Sequence, residues 1–250
     1  MNRELEEKLL KQILELQEEI KNLNSKESSK PIYQYSRIRD IDLDKIVDIQ
    51  KKLDSKIFDK WFGYHGKYTQ EDERIFQKII RDNEILIDDY NEEDLKVNVI
   101  IPVLNRVEFK SFENEFRDFY ELPLQYEANN FIFKGTTDFV VSKGLLKSQK
   151  PYFFIQEFKR NEEYSNPRPQ LLAELISGVE LNKKSEIKGA YIVGAIWHFV
   201  ILKKLGLNRY EYFVSTRFDS MRIDDLKMIF KNLLFIKSEI IEDILTDIKI

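Results

Sequence analysis

The residues of this chain best suited to chemistry lie between positions 135 and 174. Glu157-Phe158-Lys159 closes the apolar run PYFFIQEFK, which reads as a strand bounded by Pro151. Residues i and i+2 of a strand share one face. Glu157 and Lys159 therefore lie together, and Phe158 enters the other side. A carboxylate and an ammonium set into an apolar strand cost free energy unless something compensates; a bound metal ion and a bound phosphate would do so. Asp138 stands 19 residues before Glu157 and opens another strand-like run directly after Gly135-Thr136-Thr137. A hairpin, or two neighbouring strands, brings it beside Glu157. Adjacent carboxylates repel, so such a pair calls for a cation. Magnesium suits it, since it takes oxygen ligands, keeps several waters and needs only one or two protein carboxylates.

The acid-x-Lys tripeptide alone carries no weight. It recurs at Glu6, Glu19, Asp54, Asp94, Glu108, Glu186, Asp225 and Asp247, mostly in helical or polar surroundings where a solvated charged face explains it. Taken singly, Asp138 is explained as a turn cap, and Glu157 with Lys159 as an ion pair at a strand end. Their order, and the helix that follows, favour a site.

Asp138, then Glu157-x-Lys159 on a hydrophobic strand, then a helix opening with Gln170, resembles the core of the PD-(D/E)XK phosphodiesterase superfamily. The runs PYFFIQEFKR, NPRPQLLAEL, AYIVGAIWHFVIL and YEYFVSTRFD are similar to a group of uncharacterised bacterial proteins with this core. NEEDLKVNVIIPVL is similar to the corresponding helix in nuclease domains of type I restriction motor subunits. The resemblance covers roughly residues 92–236. It implies that Asp138 and Glu157 bind Mg2+, with Mn2+ as a substitute, and that the Phe158 main-chain carbonyl adds a ligand. It implies that Glu92 is the acid supplied by the preceding helix, with Glu93 or Asp94 as alternatives. Lys159 would position or activate the attacking water, and Gln170 would act from the following helix. Glu174, one turn beyond Gln170, supports it or faces solvent. The implied activity is a metal-dependent nuclease on DNA more than RNA, in restriction or anti-phage defence. The alternative is a non-catalytic nucleic-acid- or protein-interaction module that retains the nuclease fold. Two departures stand out: Thr137 rather than Pro precedes Asp138, and Pro169 stands where Gly is expected before Gln170.

Composition sets the frame. The 250 residues are 42% hydrophobic and 34% charged, enough apolar and aromatic content for a sizeable core. The formal net charge of −4 does not mark a nucleic-acid binder, so binding must come from local basic residues. Lys143, Lys147 and Lys150 lie between the two acidic strands, and Arg160 and Arg168 follow Lys159. They are candidates to track phosphates, against the plain alternative of solubility. With no cysteine and only two histidines, His65 and His198, a zinc site is disfavoured. His198, between Trp197 and Phe199, reads as a sheet or core histidine. No Gly-rich run ends in Gly-Lys-Ser/Thr, so a motor would be another protein. No apolar run is long enough for a bilayer, and the N-terminus lacks signal-peptide character. The expectation is a cytoplasmic protein without a membrane.

The elements that must hold these residues follow from periodicity. Over 4–23 a charged helix carries Leu9, Ile13, Leu16, Ile20 and Leu23 in heptad steps. It either folds back on its own domain or makes a homo-oligomer. Residues 1–30 are read as this helix and a linker, and 31–250 as the nuclease-like domain. Helices are expected over 44–53 and 71–87, and a third after the N-cap Asn91, with Pro102 kinking it or ending it early. Strands begin near Tyr120, and a helix spans about 170–181. Strands recur over 191–202 and 210–215, and a final helix opens at Asp224 and Asp225. The fold class is α/β: a restriction-endonuclease-like core with a central mixed sheet flanked by helices, preceded by a helical region.

Overall fold

The computed structural model describes residues 13, 16, 30–159 and 166–247. Its elements run β1 (Ile32–Gln34), α1 (Asp40–Ile46), β2 (Asp48–Lys51), α2 (Asp59–Phe62), α3 (Gln70–Asn83), α4 (Glu92–Leu95), α5 (Ile101–Val107), β3 (Lys110–Ser111), β4 (Phe116–Glu127), β5 (Ile132–Lys143) and β6 (Gln149–Lys159). Then follow α6 (Pro167–Asn182), β7 (Glu186–Val193), β8 (Ile196–Gly206), β9 (Arg209–Val214), β10 (Phe218–Asp219) and α7 (Ile223–Asp247). The strands form one sheet in the order β2-β9-β8-β7-β6-β5-β4-β3, with β1 on β5 and β10 on β8. Pairing is parallel at β6/β7, β2/β9 and β1/β5 and antiparallel elsewhere. The chain is α/β, with a large mixed central sheet flanked by helices, an architecture consistent with a restriction-endonuclease-like core.

Alternation along the strands builds two apolar layers. Phe139, Val141, Phe154 and Phe158 enter one, with side chains of α2, α3, α5 and α7. Val140 and Ile155 enter the other, under α6. Parallel neighbours need a crossover connection, and α6 is the crossover from β6 to β7. Every residue from Pro169 to Val179 in it is buried, as expected of a helix enclosed by sheet and loops rather than set on a surface. Gly189 on β7 lets it come close: a Cβ there would meet the Ile155 carbonyl oxygen at 2.6 Å and a Leu175 methyl at 2.9 Å.

Several expected boundaries move. The helix expected over 44–53 ends at Ile46, and Asp48–Lys51 is strand β2, paired in parallel with β9. Val47 and Ile49 alternate with polar neighbours there, and sheet pairing wins over the helical spacing. Pro102 does not end its helix. A π-helical turn at Lys96–Ile100 comes first, Pro102 sits in the first turn of α5, and the helix runs on to Val107. A π turn is a recognised way to absorb a disturbed helical ladder. The helix after Lys159 starts at Pro167 rather than Gln170. Asn166 caps it by accepting the Arg168 N–H at 2.9 Å, and proline in the first turn removes a donor that would be unpaired anyway. Strand β4 starts at Phe116, ahead of Tyr120. Ile13 and Leu16 are helical and exposed; the rest of the heptad-spaced helix lies outside the described residues. No helix among the described residues is long and apolar enough to cross a membrane.

Gly189→Ala should lower stability by about 1–3 kcal/mol, the range for overpacking, because its Cβ meets a backbone oxygen. Thermal denaturation reads this as a Tm lower by several degrees, and an unchanged Tm would refute the close-approach argument.

Candidate active site

Strands β5 and β6 are antiparallel neighbours, with Phe139 opposite Gln156 and Val140 opposite Ile155. One step further, Asp138 stands across from Glu157. Both share the sheet face of Val140 and Ile155, beneath α6. Asp138 Oδ2 accepts the Phe158 N–H at 2.8 Å. Main-chain N–H and C=O of one strand residue face the same neighbour, so the Phe158 carbonyl is also directed to the β5 side. Its side chain is buried in the opposite core. Lys159 Nζ lies 2.8 Å from Glu157 Oε1 and 3.6 Å from Glu92 Oε1.

Helix α4 supplies Glu92. Asn91 accepts the Asp94 N–H at 2.9 Å, and Asp94 accepts the Asn91 N–H at 3.2 Å, a capping box. Asp94 is thereby committed to the cap. Glu93 turns to Lys96 at 3.7 Å. Of the three acids, Glu92 is the one that meets Lys159. Gln170 and Glu174 enter from the first turns of α6. Gln170 Nε2 donates to Glu174 Oε1 at 3.1 Å. Glu174 is fully buried, so of its two expected roles the support of Gln170 holds and the solvent-facing one does not.

The electrostatics are those of crowded carboxylates. Glu157 has no exposed surface and Asp138 is 9% exposed. Burial raises the Asp138 pKa, opposed by Lys159, the Phe158 N–H and Lys96. Burial, then the neighbouring Asp138, pushes Glu157 well above the usual glutamate range. Burial, then Glu157, does the same to Glu174. For Lys159, burial acts to lower the pKa, but Glu157, Asp138 and Glu92 outweigh it and hold the ammonium above its ordinary range. Glu157 Oε2 receives no hydrogen bond among the described residues. A buried, unsatisfied carboxylate oxygen beside a second carboxylate fits a divalent cation. Among the described residues no third Asp, Glu or His converges to complete a three-ligand cluster, and two carboxylates with waters suffice for magnesium.

The remaining basic residues are placed elsewhere. Lys143 ends β5, five residues and about 17 Å of strand from Asp138 at the usual rise, and Lys147 lies beyond it in the turn to β6. The hairpin thus carries both away from Lys159. Arg168 lies in the first turn of α6 and pairs with Asp40 at 2.9 Å. Arg160 lies outside the described residues. His198 stacks on Tyr191, ring centroids 4.7 Å apart.

Sequence reasoning missed Lys96. It is nearly buried, sits 5.8 Å over the Phe158 ring, reaches Glu121 Oε1 at 3.0 Å, and bears electrostatically on Asp138. Its signal was available: it follows Glu92 by four residues, one helical turn. Glu121 was not legible. It faces Asp138 from β4 in a left-handed conformation, φ 49°, which no local pattern announces.

Raised folded-state pKa values make the acid cluster stabilising only while protonated. That contribution is complete below the ordinary carboxylate range and is lost as pH climbs through the raised values. Glu174→Gln keeps an acceptor for Gln170 and removes the buried charge. Metal-free Glu174→Gln should melt several degrees above wild type at pH 8, at about 2–4 °C per kcal/mol, with a smaller gain near pH 5. A lower Tm at both pH values would contradict this. No family model matches the chain, and no curated protein matches it, so the reading of the site rests on these residues and their geometry.

Proposed function

We propose that the protein is a metal-dependent phosphodiesterase that hydrolyses nucleic acid. The observation that carries this reading is the buried Asp138–Glu157 pair with Lys159 Nζ 2.8 Å from Glu157. The resemblance of Asp138, Glu157-x-Lys159 and Gln170 to the PD-(D/E)XK core supports it. Asp138 and Glu157 would hold a divalent cation, Mg2+ or Mn2+, with the Phe158 carbonyl directed to the same side. When bound, the ion polarises a phosphate oxygen and lowers the pKa of its water.

The chain's own groups do the rest. Lys159 presents a permanent positive charge where negative charge grows during attack on phosphorus, and fixed charge in a water-poor site acts strongly there. Glu92 holds the ammonium from the solvent side. Gln170 and Glu174 brace the helix that covers the carboxylates. DNA is the favoured substrate over RNA, and restriction or anti-phage defence is the biological setting we infer from the same resemblance.

A panel of single- and double-stranded DNA and RNA, with Mg2+, Mn2+ or EDTA, tests this directly. Wild type should cut with either metal and stop with EDTA. Asp138→Ala and Glu157→Ala should each lose at least about 100-fold, and Lys159→Ala about 100- to 1000-fold, with circular dichroism unchanged. A wild type that cuts nothing on the panel and binds no metal by calorimetry removes the catalytic reading and leaves a fold retained for interaction.

A further inference from the structure

Two backbone irregularities meet at one ion pair beside the acids. Helix α4 passes into the π-helical turn at Lys96. On β4, Glu121 holds φ at 49°, a conformation that strains a non-glycine residue. Lys96 Nζ reaches Glu121 Oε1 at 3.0 Å and Glu93 Oε2 at 3.7 Å, and the lysine side chain is 11% exposed. Irregularities of these two kinds gather at functional sites.

Strand register puts this pair on the far side of Asp138 from Glu157. Tyr120 stands opposite Phe139 and Leu122 opposite Thr137, so Glu121 falls at the level of Asp138 on β4. Glu157 falls at the same level on β6. Neighbouring strands lie about 4.8 Å apart, and Asp138 therefore has an acid on each flank. Each acid has its own lysine: Lys159 lies 2.8 Å from Glu157, and Lys96 serves Glu121. Lys96 also lies 5.8 Å from the centroid of the Phe158 ring, and the Phe158 N–H donates to Asp138. The flanks differ in what is left over. Glu157 Oε2 is buried and receives no hydrogen bond among the described residues, whereas Glu121 already carries an ammonium. Phosphodiesterases that use two ions hold them roughly 3.5–4 Å apart. A second ion here would share Asp138 and need Glu121 as its other carboxylate, where Lys96 already sits. A fixed positive charge at that place opposes a divalent ion.

We propose that Lys96 is a positioning residue that limits the site to one divalent ion, because its ammonium brings to Glu121 the charge a second ion would bring. This rests on the phosphodiesterase reading and deepens it: the site works with one metal ion and two lysines.

A Mn2+ titration of the full chain without nucleic acid, with free Mn2+ followed by electron paramagnetic resonance, counts the ions bound. Wild type should bind one. Lys96→Met keeps the stem and removes the charge, and it should bind two. Lys96→Gln should also bind two, and it decides the matter if circular dichroism shows that the methionine disturbs folding. Lys96→Arg should keep one. Adding Glu121→Gln to Lys96→Met should return the count to one, which a general loosening of the site would not do. Two ions on wild type, one ion on both neutral Lys96 variants, or two on the double variant overturns the role of Lys96 while the catalytic reading stands. No ion on wild type removes the metal site and this role with it.

Discussion

Two carboxylates side by side on a buried sheet face are a constraint that the surrounding structure has to answer. Asp138 and Glu157 are placed by strand register and cannot move apart without slipping β5 against β6. A one-residue slip would turn every side chain of the strand to the wrong face. The repulsion is therefore met locally. Lys159 follows Glu157 on the same face, the Phe158 N–H donates to Asp138, and Lys96 adds its charge from the π-helical turn packed on the strands. These cations and donors do not fully compensate, as the raised carboxyl pKa values show. Incomplete neutralisation of buried charge costs stability, and the divalent cation proposed for this site would offset that cost.

The same constraint organises the helices. Glu92 is delivered by a capping box, a local device that fixes the first turn of α4 and leaves Glu92 on the face toward Lys159. The π turn that follows lets the helix continue past Pro102 and keeps Lys96 over Phe158. On the other side, Gln170 and Glu174 come from the first two turns of α6, and Glu174 bears electrostatically on Glu157. The tripeptide Glu186-x-Lys188 shows what this context contributes. It also sits on a strand of the same sheet, yet its lysine pairs with Glu186 and Glu239, and its strand neighbours are Phe154 and Ile201.

Much of this was legible because it rests on short-range rules. Strand alternation gave the common face of Glu157 and Lys159, and Asn91 with its acidic followers gave the start of α4. The apolar runs gave β5 to β9. What was hidden depended on pairing between distant segments. The basic residues 143 and 147 looked close to the acids because they lie between them in sequence, yet a hairpin places its turn far from its opposite end. Val47 to Gln50 fits helical spacing as well as alternation, and only the open edge of β9 decides it. His198 reads in sequence as a sheet or core histidine; its alignment with Tyr191 and Glu157 exists only in the register of three strands. Of the heptad-spaced helix near the N-terminus, Ile13 and Leu16 are the described residues, and both are exposed.

The parallel step from β6 to β7 has a consequence for how the protein comes to exist. The β5–β6 hairpin joins segments close in sequence, and such closures form early and cheaply. Its two acids then stand in water, where their mutual repulsion is weak. Only when α6 crosses over and β7 docks are they enclosed together with Glu174. Desolvation of the acids thus coincides with a less local pairing than that of the hairpin, and a folding barrier should sit at that step. A divalent ion of the kind proposed would meet both carboxylates in the exposed hairpin before α6 covers them.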